Sequence, residues 1–175
     1  MHIPLNVGDN LLINSNSTIM QTSDYNPKTF LQLTRVIYFA LIAGLLFFLI
    51  VALYLSSETL VFNFNTKDPF TMVVLLIIVV IPIGYSYSNK IFKSYKPNST
   101  MKDKLPTYQL GLITRLAFCE GAGLFSVVCL LLSSNLYFPI FTAIALFVMI
   151  INYPTPERIG EAIDLTPNEI ELLVK

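Results

Sequence analysis

Charged side chains are scarce in this chain. Lysine plus arginine and aspartate plus glutamate number 11 each, together 13% of 175 residues, about half the share of a soluble globular domain. Hydrophobic residues make up 54% and mean hydropathy is +0.66. So little charge cannot cover that much apolar surface in water, which excludes an ordinary soluble domain and points to lipid. The zero net charge argues against a nucleic-acid partner, which would need a basic balance. Histidine is represented only by His2. No metal-ligand spacing, Gly-rich phosphate loop or nucleophile with a base and an orienting group is present. The reading is therefore no enzyme, no metal and no cofactor. The two cysteines, Cys119 and Cys129, lie about 15 Å apart if they share one straight helix. That is too far for a disulfide, and both read as packing residues.

Four apolar runs stand out: Val36–Leu55, Phe70–Tyr87, Leu110–Leu132 and Leu136–Tyr153. Each approaches the ~20 residues that a helix needs to cross a hydrocarbon core. Backbone polar groups must be satisfied there, so each is expected to be helical. The fold class is all-α: a polytopic membrane protein with four transmembrane helices. Residues 1–32 read as a polar, flexible N-terminal segment, 33–153 as the transmembrane domain and 154–175 as a helical tail. Pro82 falls inside the second run, where a kink is expected; Pro139 falls in the first turn of the fourth, where it costs little. The polar stretch before the first run does not fit a cleaved signal peptide.

Basic residues set the direction. Lys90, Lys93, Lys96, Lys102 and Lys104 lie between the second and third runs. Lys28 and Arg35 precede the first, and Arg158 follows the fourth. The other two connections hold only Lys67 and the Ser133-Ser134-Asn135 turn. Both termini and the basic loop are expected on the cytoplasmic side of an inner (plasma) membrane, with the loop close to anionic lipid. The glycosylation-like triplets Asn16-Ser17-Thr18 and Asn98-Ser99-Thr100 fall on that same side and carry no weight.

A faint repeat relates the first and third runs. Both open on Thr-Arg, at Thr34 and Thr114, pass through Ala-Gly-Leu at Ala43 and Ala122, and close on Ser-Ser. It is compatible with two tandem parallel hairpins.

Within the third run stands Glu120, ten residues from Leu110 and twelve from Leu132. A charged carboxylate at that depth costs about 2.5–3.5 kcal/mol, so the group holds a proton, a partner or water. Arg115 is the other charge in the run. Five residues earlier, it lies about 140° round the helix and reads as an anchor that snorkels to the headgroups. Tyr38, Tyr85, Ser86 and Thr142 are the polar candidates on neighbouring runs, with Thr142 nearest the midplane. A counter-group for Glu120 is then Arg115 of a second copy, a group on another subunit, or a proton. Ala117, Gly121, Ala122, Gly123 and Ser126 surround the acid at spacings that allow close helix approach, marking a packing surface within the bundle or between subunits.

In the tail, Thr155-Pro156 fits an N-cap with proline at the first helical position, and Thr166 with Glu169 fits a capping box. Two short helices are expected, with Ile159, Ala162 and Ile163 forming an apolar stripe. The tail either lies back on the lysine loop or docks on a partner.

RLAFCEGAGLF, from Arg115 to Phe125, together with the terminal DLTPNEIELL, resembles a loose group of short uncharacterised bacterial four-helix inner-membrane proteins. The likeness runs from about Leu33 to Leu172 and implies an inner-membrane location without an established activity. Rotary ATPase proteolipids and small multidrug resistance transporters share only a membrane-embedded acid. The sequence leaves two functions open. One is a structural or accessory subunit packed around Glu120, either in a homo-oligomer or against another membrane protein. The other is a proton-coupled transporter or channel component using Glu120.

Overall fold

The computed structural model describes residues 26–63, 69–96 and 99–174. These form six helices: α1 (Pro27–Ser56), α2 (Pro69–Phe92), α3 (Met101–Ser133), α4 (Pro139–Ile151), α5 (Pro156–Ala162) and α6 (Pro167–Leu172). Among the described residues the only β-type pairing is an isolated bridge between Val61 and Asn135. The chain before Asn26, with Asn16-Ser17-Thr18, lies outside the described residues, as do Lys67 and Asn98.

Two helices begin well before their apolar runs. Asn26 caps α1 by accepting from Lys28 N at 2.9 Å, with Pro27 in the first turn. Residues 27–32, expected to be flexible, are therefore the first turns of α1. Thr100 and Asp103 form a capping box at the start of α3. Lys102 and Lys104, expected in a loop, therefore lie on that helix. At 33 residues α3 is about 50 Å long, longer than a hydrocarbon core of ~30 Å. Pro82 lies inside α2 and Pro106 inside α3.

The fourth run needs correction. Its helix has 13 residues, about 20 Å, and covers only part of 136–153. Pro139 opens it as expected. Pro154 and Pro156 close it, because proline lacks a donor and its predecessor avoids the helical region. The chain then bends by 87° into α5. Among the described residues, α1 and α3 are long and apolar enough to cross a membrane, and α4 with α5 makes a third span if the bent pair counts as one.

The central helix is α3, with α1, α2 and α4 packed on it and α1 also touching α4. Among the described residues α1 and α2 make no comparable contact, so the two sequence hairpins do not pack alike. Leu45, Leu105, Leu116, Leu130, Phe138 and Met149 are fully buried along this axis. Cys119 and Cys129 are buried on α3 and form no disulfide with each other, in keeping with a packing role. Large apolar side chains such as Val36, Phe47, Ile50, Leu132 and Phe147 face outward, as lipid contact requires. α2 and α3 approach closely at Gly84, where an added Cβ would lie 2.5 Å from Phe118 Cβ.

The two ends of the bundle differ. At one, the α1–α2 connection pairs with the α3–α4 turn. Val61 N donates to Ser134 O at 3.0 Å, Leu136 N donates to Val61 O at 2.9 Å, and the Asn135 side chain bonds both backbone groups of Asn63. At the other, the tail folds back. Thr155 and Thr166 cap α5 and α6 as expected, and Ile159, Ile163 and Leu173 are buried. Lys104 Nζ donates to Asp164 O at 2.8 Å, and Tyr95 Oη donates to Asp164 Oδ2 at 2.5 Å. Of the two arrangements left open for the tail, the structure shows the one that lies on the basic connection.

Candidate functional site

Glu120 is half-buried on the α1 side of α3. Its Oε1 lies 3.7 Å from the point where a Cβ on Gly44 would sit, so the bare backbone of α1 lets the carboxyl rest against it. Among the described residues the carboxyl has no hydrogen bond and no ion pair. Its sequence candidates are occupied elsewhere. Thr142 is buried and donates to Gly123 O at 3.2 Å. Tyr38 Oη donates to the carbonyls of Met149 and Ile150, at 3.1 and 3.3 Å. Ser86 is exposed on α2.

The small residues around the acid divide between two faces. Ala122, Gly123 and Ser126 point inward and are buried. A Cβ on Gly123 would meet Leu45 at 2.7 Å and Ala145 at 3.4 Å, and Ser126 Oγ donates to Phe138 O at 2.5 Å. Ala117 and Gly121 are exposed. Nothing lies within 4 Å of a Cβ added at Gly121. This follows from helix geometry: at about 100° per residue, positions 117 and 121 stand together, opposite the α4-facing side. A shallow groove of about 280 Å³, lined by Val80, Ala117, Phe118, Gly121 and Ala122, runs along the α2 flank. Glu120 borders the same open sector from the α1 flank.

Arg115, expected to act as an anchor that snorkels to the headgroups, has a set of protein partners. Its guanidinium is tied inside the protein: Nε to Ser88 Oγ at 2.9 Å, one terminal nitrogen to Asn152 Oδ1 at 2.9 Å and the other to Asn89 Oδ1 at 2.7 Å. It also lies 4.2 Å from the Tyr85 ring centroid and 4.9 Å from that of Phe92, within cation–π range. The acceptors are themselves held. Ser88 donates to Tyr85 O at 2.9 Å, and Asn152 Nδ2 donates to Val148 O at 2.7 Å and to the Tyr85 hydroxyl. The Phe92 ring can lie flat because Gly111 beneath it has no Cβ; one would sit 2.4 Å from the ring. Arg115 thereby joins α2, α3 and the end of α4.

Beside this guanidinium is a cavity of about 560 Å³ at the tail end of the bundle. Lys93 and Arg158 line it with Arg115, and Glu161 is its one acid. Arg158 also donates to Ile151 O. Of the other expected lysines, Lys90 lies in the last turn of α2, where a cation suits the helix dipole, and Lys96 lies in the connection.

Ser88, Asn89 and Asn152 were not singled out from the sequence. Their signal is faint: polar side chains at the ends of apolar runs, at the depth of Arg115. Such residues also occur wherever a helix leaves lipid. The chain matches no protein-family model, and no curated protein or solved structure is significantly similar to it.

Proposed function

We propose that this chain is a small integral membrane protein that acts as a structural or accessory subunit, receiving a helix of a second polypeptide on the open face of α3. The single observation that carries this reading is the half-buried Glu120 carboxyl, without a partner among the described residues, beside a Gly121 with open space above it. A carboxyl in a tight helix contact donates a hydrogen bond to a backbone carbonyl, and flanking small residues let that backbone approach. In the proposed arrangement four helices span an inner membrane, with the lysine connection and both termini on the cytoplasmic side. Pairing of the two lysine-poor connections at one end, and of the tail with the lysines at the other, supports this.

The test is photo-crosslinking of the full chain in native membranes from a probe at position 121, with a probe at the exposed Ile50 as control. The subunit reading expects a protein adduct from 121, whether a second copy or another membrane protein, and none from 50. It also expects Gly121→Leu to abolish association and Glu120→Gln, which still donates, to preserve it. Lipid adducts alone at 121 would refute it. The proton-coupled reading rests on the same unpaired carboxyl. It expects proton flux in liposomes that Glu120→Gln removes, although the 560 Å³ cavity has Arg115, and not Glu120, in its wall.

A further inference from the structure

The geometry points to a second site: we infer that the cavity beside Arg115 binds a phosphate-bearing anion, either the headgroup of an anionic phospholipid or a soluble phosphate ester. Three cations, Arg115, Lys93 and Arg158, face one acid, Glu161, around about 560 Å³. A guanidinium carries five N–H groups. Arg115 places three of them on neutral oxygens. One N–H on each terminal nitrogen is left without a protein acceptor. No carboxylate among the described residues stands at ion-pair distance from it. A partly buried cation held by neutral oxygens keeps its full charge, and unused guanidinium N–H groups are strong donors to phosphate oxygens.

Arg115 is also pre-organised, a property that a merely snorkelling side chain lacks. Ser88, Asn89 and Asn152 fix its plane, and Tyr85 and Phe92 lie against it. Fixing these groups in advance lowers the ordering cost of binding. Lys93 and Arg158 reach the same space from the α2–α3 connection and from α5, so the anion would also pin the tail to the bundle. The site lies at the end of the apolar part of α2 and α4, the depth at which basic pockets between helices meet headgroups.

The experiment uses the purified full chain in nanodiscs, with two arms. One compares phosphatidylcholine alone with phosphatidylcholine plus phosphatidylglycerol, reading bound lipid by native mass spectrometry and thermal stability by scanning calorimetry. The other keeps phosphatidylcholine alone and titrates glycerol 3-phosphate. A response in the first arm identifies a lipid headgroup; a response in the second identifies a soluble ester. In the responding arm Lys93→Gln should weaken binding by about fivefold, the effect of one cation near a membrane surface, and Arg115→Gln by more. Lys90→Gln, which removes a nearby lysine outside the cavity, should leave it unchanged. Lys93 is exposed on the connection, so this variant reports binding even if Arg115→Gln fails to fold. No response in either arm overturns the inference, as does a response that Lys90→Gln and Lys93→Gln reduce equally.

Discussion

Replacing Gly84 with alanine tests whether α2 and α3 meet as closely as described. The new Cβ would stand 2.5 Å from Phe118 Cβ and 2.7 Å from Phe118 Cγ. Carbon atoms in contact prefer about 3.5–4.0 Å, so roughly 1 Å of separation is missing. Phe118 Cβ is fixed to the backbone of α3, and no rotamer change moves it. Relief requires the two helices to shift apart. With no rotamer change to relieve it, this overpacking costs about 2–3 kcal/mol, the upper part of the usual range, and the better helix propensity of alanine returns about 1 kcal/mol. The expected net loss is about 1–2 kcal/mol. Gly121→Ala is the control, because its Cβ meets nothing within 4 Å; there only the propensity term acts, a gain of about 0.5–1 kcal/mol. The assay is denaturant unfolding of the full chain in mild detergent, dilute enough to hold it monomeric, followed by circular dichroism. The same substitution should thus have opposite signs on two faces of the packed helices. Gly84→Ala as stable as the native chain, or Gly121→Ala equally damaging, would refute the packing described.

Two further outcomes concern the tail. The backbone N–H of Thr166 holds the Glu169 carboxyl below its ordinary value, so this contribution is complete above that value and is lost as pH falls through the depressed one. The protection of the Leu172 and Leu173 amides, relative to the intrinsic exchange rate at each pH, should fall under acid by an amount matching a cap of about 1 kcal/mol, and Glu169→Gln should remove that pH dependence. The Tyr95 hydroxyl is shifted the other way, upward from 10.0, by its hydrogen bond to Asp164, so its contribution is complete below 10.0 and fades as pH rises through the raised value. Tyr95→Phe should abolish that alkaline loss and, because the pair is exposed, weaken tail docking by no more than about 1 kcal/mol, read as faster proteolysis after Tyr153.

The legible parts of this fold are those governed by local chemistry. Apolar length marked α1 and α3 as able to cross a membrane. Thr155-Pro156 and the Thr166–Glu169 pair marked the starts of α5 and α6, because a cap is satisfied within three residues. The same signal lay unused at Thr100 and Asp103, which is why Lys102 and Lys104 were expected in a loop. The fourth run misled because apolar composition persists through Leu136–Phe138 while the helix starts only at Pro139.

The sequence by itself determined that the chain is helical and lipid-facing, and that it carries one acid deep in an apolar run, because composition and period act on neighbours in the chain. Tertiary structure alone decided what that acid and its nearest cation meet. Glu120 faces the bare backbone at Gly44, while Arg115 is held by Ser88 and Asn89 of α2 and Asn152 at the end of α4. Those partners lie 26 to 37 positions away in sequence. No local propensity encodes such distances; the crossing of α2 and α4 over α3 sets them, with Gly84 of α2 against Phe118 and Gly123 against Ala145 of α4 at the close approaches.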